Sequence, residues 1–216
     1  RWIDRFIIDL PTNKIGQDPY PTALRIINWM KFICLHSDSI PEKRRLDWES
    51  SLRAQVNLLT RKLEYHLLAN HLLEDICALF IASVYLSDET LGKKASKLLK
   101  QELQAQILPD GAHYEQAPMY HCILLDRILD CYNFASANVD RLSDKSVLET
   151  LREVLVAMLG HLDSIVYRDG SIPLVNDSAY GIALPYKGLC TYAKNLGIEW
   201  DSIPLGASGY RWLRNE

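Results

Sequence analysis

The sequence lacks the short motifs that mark the commonest metal, nucleotide and hydrolase sites. Its six histidines include no H-E-x-x-H pair and its five cysteines no C-x-x-C pair, so no zinc site is predicted. Its glycines form no phosphate-binding loop, and no G-x-S-x-G motif marks a serine nucleophile. We therefore predict neither a metal ion nor a cofactor.

A basic excess and a long apolar run are also missing. Lys and Arg number 24 against 27 Asp and Glu, a net charge of −3, so no nucleic-acid partner is predicted. The longest strongly apolar stretch, residues 76–86, is shorter than the roughly 18 to 20 residues that span a bilayer, which predicts no membrane span. With 48% hydrophobic residues among 216, the chain fits one globular domain.

The cysteines are odd in number, widely spaced and mostly embedded in apolar helical patterns. They are Cys34, Cys77, Cys122, Cys131 and Cys190. We interpret them as buried thiols rather than as disulfides or metal ligands. Free thiols suit the cytoplasm, but a domain of this size is also stable in an oxidising compartment without disulfides.

Apolar residues recur at three- and four-residue spacing along most of the chain, which predicts an all-α fold. Helices are expected over residues 21–35, 41–65, 66–86, 89–106, 118–135, 146–166 and 186–196. Because these form hairpins at intervals of roughly 40 to 50 residues, we expect helix pairs stacked in an arc or ring. An irregular helical domain would give a similar pattern. Residues 167–185 read as a long irregular loop.

The two ends suggest a piece of a longer protein. The chain opens on Arg1 rather than Met, and residues 1–10 lack the pattern of a signal peptide. The tail ASGYRWLRNE alternates like a strand, yet the rest of the chain offers no strand to pair with it.

Polar side chains gather at the start of a helix that is otherwise apolar. Asn70, His71 and Glu74 share one side, because Glu74 follows them by four and three residues. This arrangement is typical of the lip of a cavity. Capping and core hydrogen bonds explain the same spacing.

A second polar cluster precedes another apolar helix. It comprises His113, Tyr114, Glu115, Tyr120 and His121. The free N–H groups and positive dipole end of a helix N-terminus favour an anion such as a carboxylate. A histidine before a hydrophobic run is more often a hydrogen-bonded core residue, and Tyr114 serves equally well as a packing aromatic.

Two further places carry more polar groups than a turn requires. Arg25 and Asn28 share a helical face near Tyr20, and Trp29 offers an aromatic surface for a sugar ring. In the long loop the polar residues are Asp169, Asn176 and Asp177, although such loop residues usually make turns or caps.

Four segments together resemble the helical domain of heparinase II/III family polysaccharide lyases. They are DPYPTALRIINWMKF, LEYHLLANHLLEDICALFIAS, ILPDGAHYEQAPMYHCILLDRILD and DGSIPLVNDSAYGIA, in the family's order. The resemblance implies an incomplete (α/α) toroid over residues 1–205. It also implies that residues 206–216 begin an antiparallel β-sandwich domain, with the active-site cleft between the two domains. The fragment alone would then be nearly inactive.

The resemblance also assigns residues. The family's Asn-His pair falls on Asn70 and His71, and its catalytic tyrosine, in a Pro-x-Tyr-His setting, falls on Tyr120, with Tyr114 as a fallback. The implied reaction is β-elimination at a uronic acid, with Asn70 stabilising the carboxylate and His71 and Tyr120 exchanging protons as base and acid in either order. Substrate contacts are expected from the other polar residues of these clusters: Tyr20, Arg25, Asn28, Trp29, Glu74, His113, Glu115, His121 and Asn176.

The resemblance makes an acidic polysaccharide the expected partner, and the missing β-sandwich a second one. It places the protein in the periplasm or outside the cell, with the cytoplasm as the alternative. Two other functions stay open. A glycoside hydrolase would need two carboxylates, for which Glu115 and Asp177 are candidates. A non-catalytic glycan-binding module of an exopolysaccharide system would need no catalytic carboxylates.

Overall fold

The computed structural model describes residues 2–65 and 69–212. Its helices are α1 (Trp2–Asp9), α2 (Pro19–Leu35), α3 (Glu42–Arg61), α4 (Ala69–Leu86), α5 (Glu89–Gln106), α6 (Pro118–Ala137), α7 (Val147–Ile165) and α8 (Tyr186–Asn195). No β-strand occurs in these described ranges, which confirms the all-α prediction. Residues 207–212 of the predicted C-terminal strand form no strand in this structure. The last four residues of that predicted strand, like the predicted helix start at 66–68, lie outside the described ranges.

Helix α4 is the centre of the domain. It packs against α2, α3, α5 and α6, and every side chain from Leu72 to Val84 is buried. By length and composition alone, α4 could cross a membrane, and it is longer than the apolar stretch counted from the sequence. However, 78% of it is buried inside the protein, as is usual for the core helix of a globular domain.

Successive hairpins place every second helix on the inside. Helix α2 contacts α4, α4 contacts α6, and α6 contacts α8, while α3, α5 and α7 pack behind them. The chain reverses direction at two turns between each inner helix and the next, so α2, α4 and α6 run in the same direction. Their N-termini therefore lie at one end of the domain.

Local sequence signals explain where several helices begin. Asp88 caps α5, because its carboxylate accepts a hydrogen bond from the N–H of Leu91 at 2.9 Å. Proline at the first position opens both α2 and α6, where a missing N–H costs nothing.

Two elements differ from the sequence prediction. Helix α1 was not predicted. It is anchored by the Trp48 indole N–H, which donates to Asp4 at 2.8 Å. Helix α3 ends at Arg61 rather than at Tyr65, because the N–H of Glu64 donates to Asp75 of α4 instead of continuing the helix.

All five cysteines are free, and the prediction of buried thiols holds for four of them. Cys34 is the exception, because it lies on the solvent side of the last turn of α2.

One carboxylate makes three of the hydrogen bonds that hold the C-terminal segment against the domain. Asp110 accepts hydrogen bonds from the N–H of Gly206 at 3.0 Å and from the N–H and hydroxyl of Ser208 at 2.9 and 2.6 Å. Gly111 follows it with a φ of 75°, and a Cβ there would lie 2.0 Å from the carbonyl oxygen of Ala157. Only glycine therefore fits beside Asp110 in this turn.

We expect Asp110→Asn to lower the free energy of unfolding by about 1 to 3 kcal/mol at neutral pH, because charge-assisted hydrogen bonds are lost. Burial raises the pKa of Asp110, but the hydrogen bonds from Ser208 and Gly206 outweigh burial and lower it to about 2. A carboxyl whose pKa is lower in the folded state stabilises the protein above its unfolded pKa, which is 3.8. The difference between wild type and variant should therefore shrink as the pH falls from 4 towards 2.

Urea unfolding at neutral and acidic pH measures this difference. Asp201→Asn is the matched control, because Asp201 is exposed and its carboxylate makes no hydrogen bond within the described residues. Equal stability of the Asp110 and Asp201 variants would contradict the role given to Asp110.

Candidate active site

Three helix N-termini meet at one end of the domain and present polar side chains there. Tyr20 is the second residue of α2, Asn70 the second of α4, and Tyr120 the third of α6. Each helix start adds the positive end of a helix dipole. The site is therefore prepared for an anion even though the chain carries a net negative charge.

His71 lies in the middle of this end. Its ring packs on the ring of Tyr20 with a centroid distance of 4.5 Å and an interplanar angle of 34°. Its Nδ1 lies 3.2 Å from Oε2 of Glu64, whose residue is only 7% exposed. His71 itself remains partly exposed. One ring nitrogen thus faces a carboxylate, and the other is left for a ligand.

Glu64 was not among the residues predicted from the sequence. The pattern placed it inside a continuous helix, although it lies in the turn after α3. The only sequence signal for a contact between Glu64 and His71 was their separation of seven residues.

Asn70 links α4 to the turn before α6. Its backbone N–H donates to Oε2 of Glu115 at 3.3 Å. Its side-chain amide makes no hydrogen bond within the described part of the chain, although the residue is only 7% exposed. Burial raises the pKa of Glu115, and the N–H of Asn70 and the charge of His71 oppose this increase.

The two tyrosines of the site lie close together. Burial raises the pKa of Tyr20, and Glu74 and Tyr120 contribute to the increase through their charges. Tyr120 is partly buried. Neither hydroxyl has a hydrogen-bond partner among residues 2–65 and 69–212. Both are therefore available to a substrate.

Glu74 lies about one turn further along α4 than Asn70, on the side of the core. It is fully buried, and its Oε2 accepts a hydrogen bond from Nε of Arg127 at 2.7 Å. Burial raises the pKa of Glu74, and Arg127 opposes the increase. Since no part of Glu74 reaches solvent, the structure does not support the predicted contact with substrate.

Arg25, Asn28 and Trp29 do not join the site. The guanidinium of Arg25 donates to Gln55 at 2.5 Å and is otherwise occupied by the carbonyl of Gly16 and the hydroxyl of Thr22. Trp29 is 4% exposed, so it offers no surface for a sugar ring. Asn28 is exposed but lies eight residues, or about 12 Å, along α2 from Tyr20. The structure supports none of these three substrate contacts.

The two histidines of the second cluster are core residues. Nε2 of His121 donates to the carbonyl of Met158 at 3.0 Å, and its Nδ1 accepts the N–H of His113 at 3.3 Å. Nε2 of His113 lies 2.9 Å from the amide oxygen of Gln106. Burial lowers the pKa of His121 to about 3 and that of His113 to about 4. Both residues therefore fit the description of hydrogen-bonded core histidines better than that of substrate contacts.

The turn before α6 is a meeting point of three segments. The carbonyl of Gln116 accepts hydrogen bonds from the side-chain amide of Asn176 and from the hydroxyl of Tyr210, both at 2.6 Å. Ser178 accepts the N–H of Met119 at 3.1 Å. Through the bond from its side chain to the Gln116 carbonyl, Asn176 connects the long loop to this turn and lies beside the site.

Tyr114, the fallback tyrosine, is exposed on the same turn. Its ring contacts His113 edge-on at a centroid distance of 5.0 Å. Burial raises its pKa, as does the charge of Glu115, while the backbone of Ala69 opposes the increase. Tyr114 thus flanks the start of α4.

Among the described residues, no group of histidine, cysteine or acidic side chains is arranged to hold a metal ion. The side chains gathered at this site offer an amide, an imidazole, two phenols and two carboxylates. Such a set can bind an anion and transfer protons.

Comparisons with known proteins identify the family and the fold. A family model described as Heparinase II/III N-terminus matches residues 23–196, which include Asn70, His71 and Tyr120. The crystal structure of heparinase III superposes with a TM-score of 0.65 and 20% sequence identity over 90% of this chain. That overlap is 32% of the heparinase III chain, so this chain spans about a third of that protein. No curated protein matches the sequence significantly. The structural likeness confirms the toroid of helical hairpins.

Proposed function

Because the chain belongs to the heparinase II/III family, we propose that it supplies the helical side of the active site of a polysaccharide lyase. The proposed substrate is an acidic polysaccharide that contains uronic acid, and the proposed reaction is β-elimination. The observation that carries the proposal is the convergence of Asn70, His71 and Tyr120 at the N-termini of α4 and α6, with the amide and the phenol unpartnered within the described residues.

The reaction removes the proton on C5 of the uronic acid and expels the glycosidic oxygen on C4. A proton next to a carboxylate is only weakly acidic, so charge that builds up on the carboxylate needs preorganised donors. The side-chain amide of Asn70 supplies such a donor, and the positive dipole ends of α4 and α6 add favourable electrostatics. They take the place of a cationic side chain, since Arg25 is occupied elsewhere.

The proton transfers fall to His71 and Tyr120. The free ring nitrogen of His71 accepts the C5 proton, and the hydroxyl of Tyr120 donates a proton to the departing oxygen. For a substrate with both groups on the same side of the sugar, Tyr120 performs both transfers and His71 assists it. In this proposal a β-sandwich domain closes the other side of the cleft.

A product screen of the full-length protein tests the function. The panel contains alginate, heparan sulfate and bacterial exopolysaccharides with uronic acid. The reaction is followed by ultraviolet absorbance of the unsaturated sugar and by new reducing ends. Both signals rising together supports elimination. Reducing ends without absorbance would replace the proposal with hydrolysis, for which Glu115 and Asp177 lie close enough to interact. Binding without either product would indicate a glycan-binding module.

We expect Asn70→Ala to lower kcat about a hundredfold to a thousandfold, because removal of one preorganised donor to a developing charge typically costs that much. Only the side-chain amide changes, so the bond from the backbone of residue 70 to Glu115 is kept. Initial rates across substrate concentrations give kcat and KM. Asn195→Ala, at the exposed end of α8, is the control. Equal rates for the two variants would remove Asn70 from the mechanism.

A further inference from the structure

The partner of His71 is held more firmly than a surface carboxylate would be. Glu64 is 7% exposed, and its Oε2 lies 3.2 Å from Nδ1 of His71. Its backbone N–H donates to Oδ2 of Asp75 at 3.2 Å. Both Asp75 and His71 belong to α4. The turn that carries Glu64 is therefore fastened to the same helix that carries the imidazole.

The aromatic ring of Tyr20 restricts the imidazole further. It covers one face of His71 at a centroid distance of 4.5 Å. With Glu64 at Nδ1 and Tyr20 on the face, rotation of the ring would break both contacts. Nε2 makes no hydrogen bond within the described ranges, so it is the nitrogen left for a ligand.

A carboxylate only accepts hydrogen bonds, so the Nδ1 that faces Glu64 has to carry the proton. In a neutral imidazole the other nitrogen then has a free lone pair. Glu115 is the second carboxylate near His71, but it accepts its hydrogen bond from the backbone of Asn70. Glu64 is therefore the group that determines which nitrogen is protonated.

We propose that Glu64 is a positioning residue that fixes His71 in the Nδ1–H tautomer and directs the free lone pair of Nε2 towards the substrate. The proposal rests on the proposed function for its catalytic meaning, because the lone pair matters only if His71 accepts a proton. The tautomer itself is independent of any activity.

Nuclear magnetic resonance tests the tautomer directly. The protein is labelled with ¹⁵N-histidine, and two-bond ¹H–¹⁵N correlations distinguish Nδ1–H from Nε2–H. The spectrum of His71→Gln identifies the signals of His71 by their loss. We expect Nδ1–H in the wild type, and a change to Nε2–H or a mixture in Glu64→Ala. Glu153→Ala, an exposed glutamate on α7, should leave the signals unchanged.

Glu64→Gln provides a second test that keeps the shape of the side chain. Its amide oxygen still accepts a hydrogen bond, so we expect it to retain Nδ1–H. In the elimination assay, we expect kcat to fall about a hundredfold in Glu64→Ala, much less in Glu64→Gln, and KM to change little in either.

The outcomes separate this proposal from the proposed function. Nδ1–H that persists in Glu64→Ala, or equal losses of kcat in the two Glu64 variants, would overturn the positioning role. The expected tautomer change in a protein without lyase activity on any substrate would leave the role of Glu64 intact and refute the function. If Glu64→Ala does not fold, Nε2–H in wild type or in Glu64→Gln would still overturn the proposal.

Discussion

Replacing Tyr120 with phenylalanine is expected to lower kcat for β-elimination by about a thousandfold or more, with little change in substrate binding. General acid–base catalysis by a positioned side chain typically contributes about a hundredfold to ten-thousandfold. In the proposed mechanism Tyr120 protonates the departing oxygen, and for some substrates it removes the C5 proton as well. Loss of the hydroxyl therefore affects the transition state far more than the bound substrate.

The substitution should not disturb the fold. The hydroxyl of Tyr120 makes no hydrogen bond to residues 2–65 or 69–212, and phenylalanine keeps the ring that packs against the core. Tyr132→Phe is the matched control, because Tyr132 is also partly buried on α6 and packs against the same core. Product absorbance gives kcat, and binding of an uncleaved oligosaccharide gives Kd. Normal turnover in Tyr120→Phe would move the proton transfer to another group, with Tyr114 the first to test.

Replacing Arg127 with methionine is expected to lower the free energy of unfolding by about 3 to 5 kcal/mol, the usual cost of removing one partner from a buried ion pair. Nε of Arg127 donates to Glu74 and its Nη1 to Asp130, both at 2.7 Å. Asp130 keeps Lys31 and Tyr192 as partners after the substitution. Glu74 keeps none among the described residues, and it is fully buried.

The loss should depend on pH through Glu74. Burial already raises the pKa of this carboxyl, and removal of Arg127 takes away the main opposing effect. A carboxyl whose pKa is higher in the folded state destabilises the protein as the pH rises above its unfolded pKa of 4.5. The deficit of the variant should therefore be smallest in acid, where Glu74 is protonated in both states.

Urea unfolding at several pH values measures this deficit. Arg152→Met, an exposed arginine on α7, is the control. The double variant Arg127→Met with Glu74→Gln should recover part of the stability, because no buried charge is then left unpaired. A loss below about 1 kcal/mol would show that Glu74 finds another partner.

The helical architecture could be predicted because it depends on spacing. The three- and four-residue periodicity of apolar side chains located seven of the eight α-helices found in the described residues. Helix α1 was missed because it is short and its stability comes from packing on α3, including the bond from Trp48 to Asp4. Helix ends shift where a side chain elsewhere competes for a backbone N–H, as Asp75 does for Glu64.

The site was predictable only in part, for a related reason. A polar residue at the start of an apolar helix, such as Asn70 or Tyr120, stands out in the sequence. Whether a polar residue within a helix faces solvent or another element depends on contacts that spacing does not contain. Arg25 shows this, since its partners Gly16 and Gln55 belong to a preceding turn and to the neighbouring helix. Glu64 shows the converse, because its role arises from a turn that replaces a predicted helix.

The carbonyl of Gln116 also has a mechanical consequence. A carbonyl oxygen has two lone pairs, and here both are occupied, one by the long loop through Asn176 and one by the C-terminal segment through Tyr210. Gln116 holds this orientation with a φ of 55°, in the left-handed region of the backbone, which costs free energy for residues other than glycine. Rotation of this single peptide would break both of these hydrogen bonds at once, directly beside Glu115. The loop and the C-terminal segment therefore share one acceptor atom at this turn, in addition to the separate bonds that Ser178 and Asp110 make.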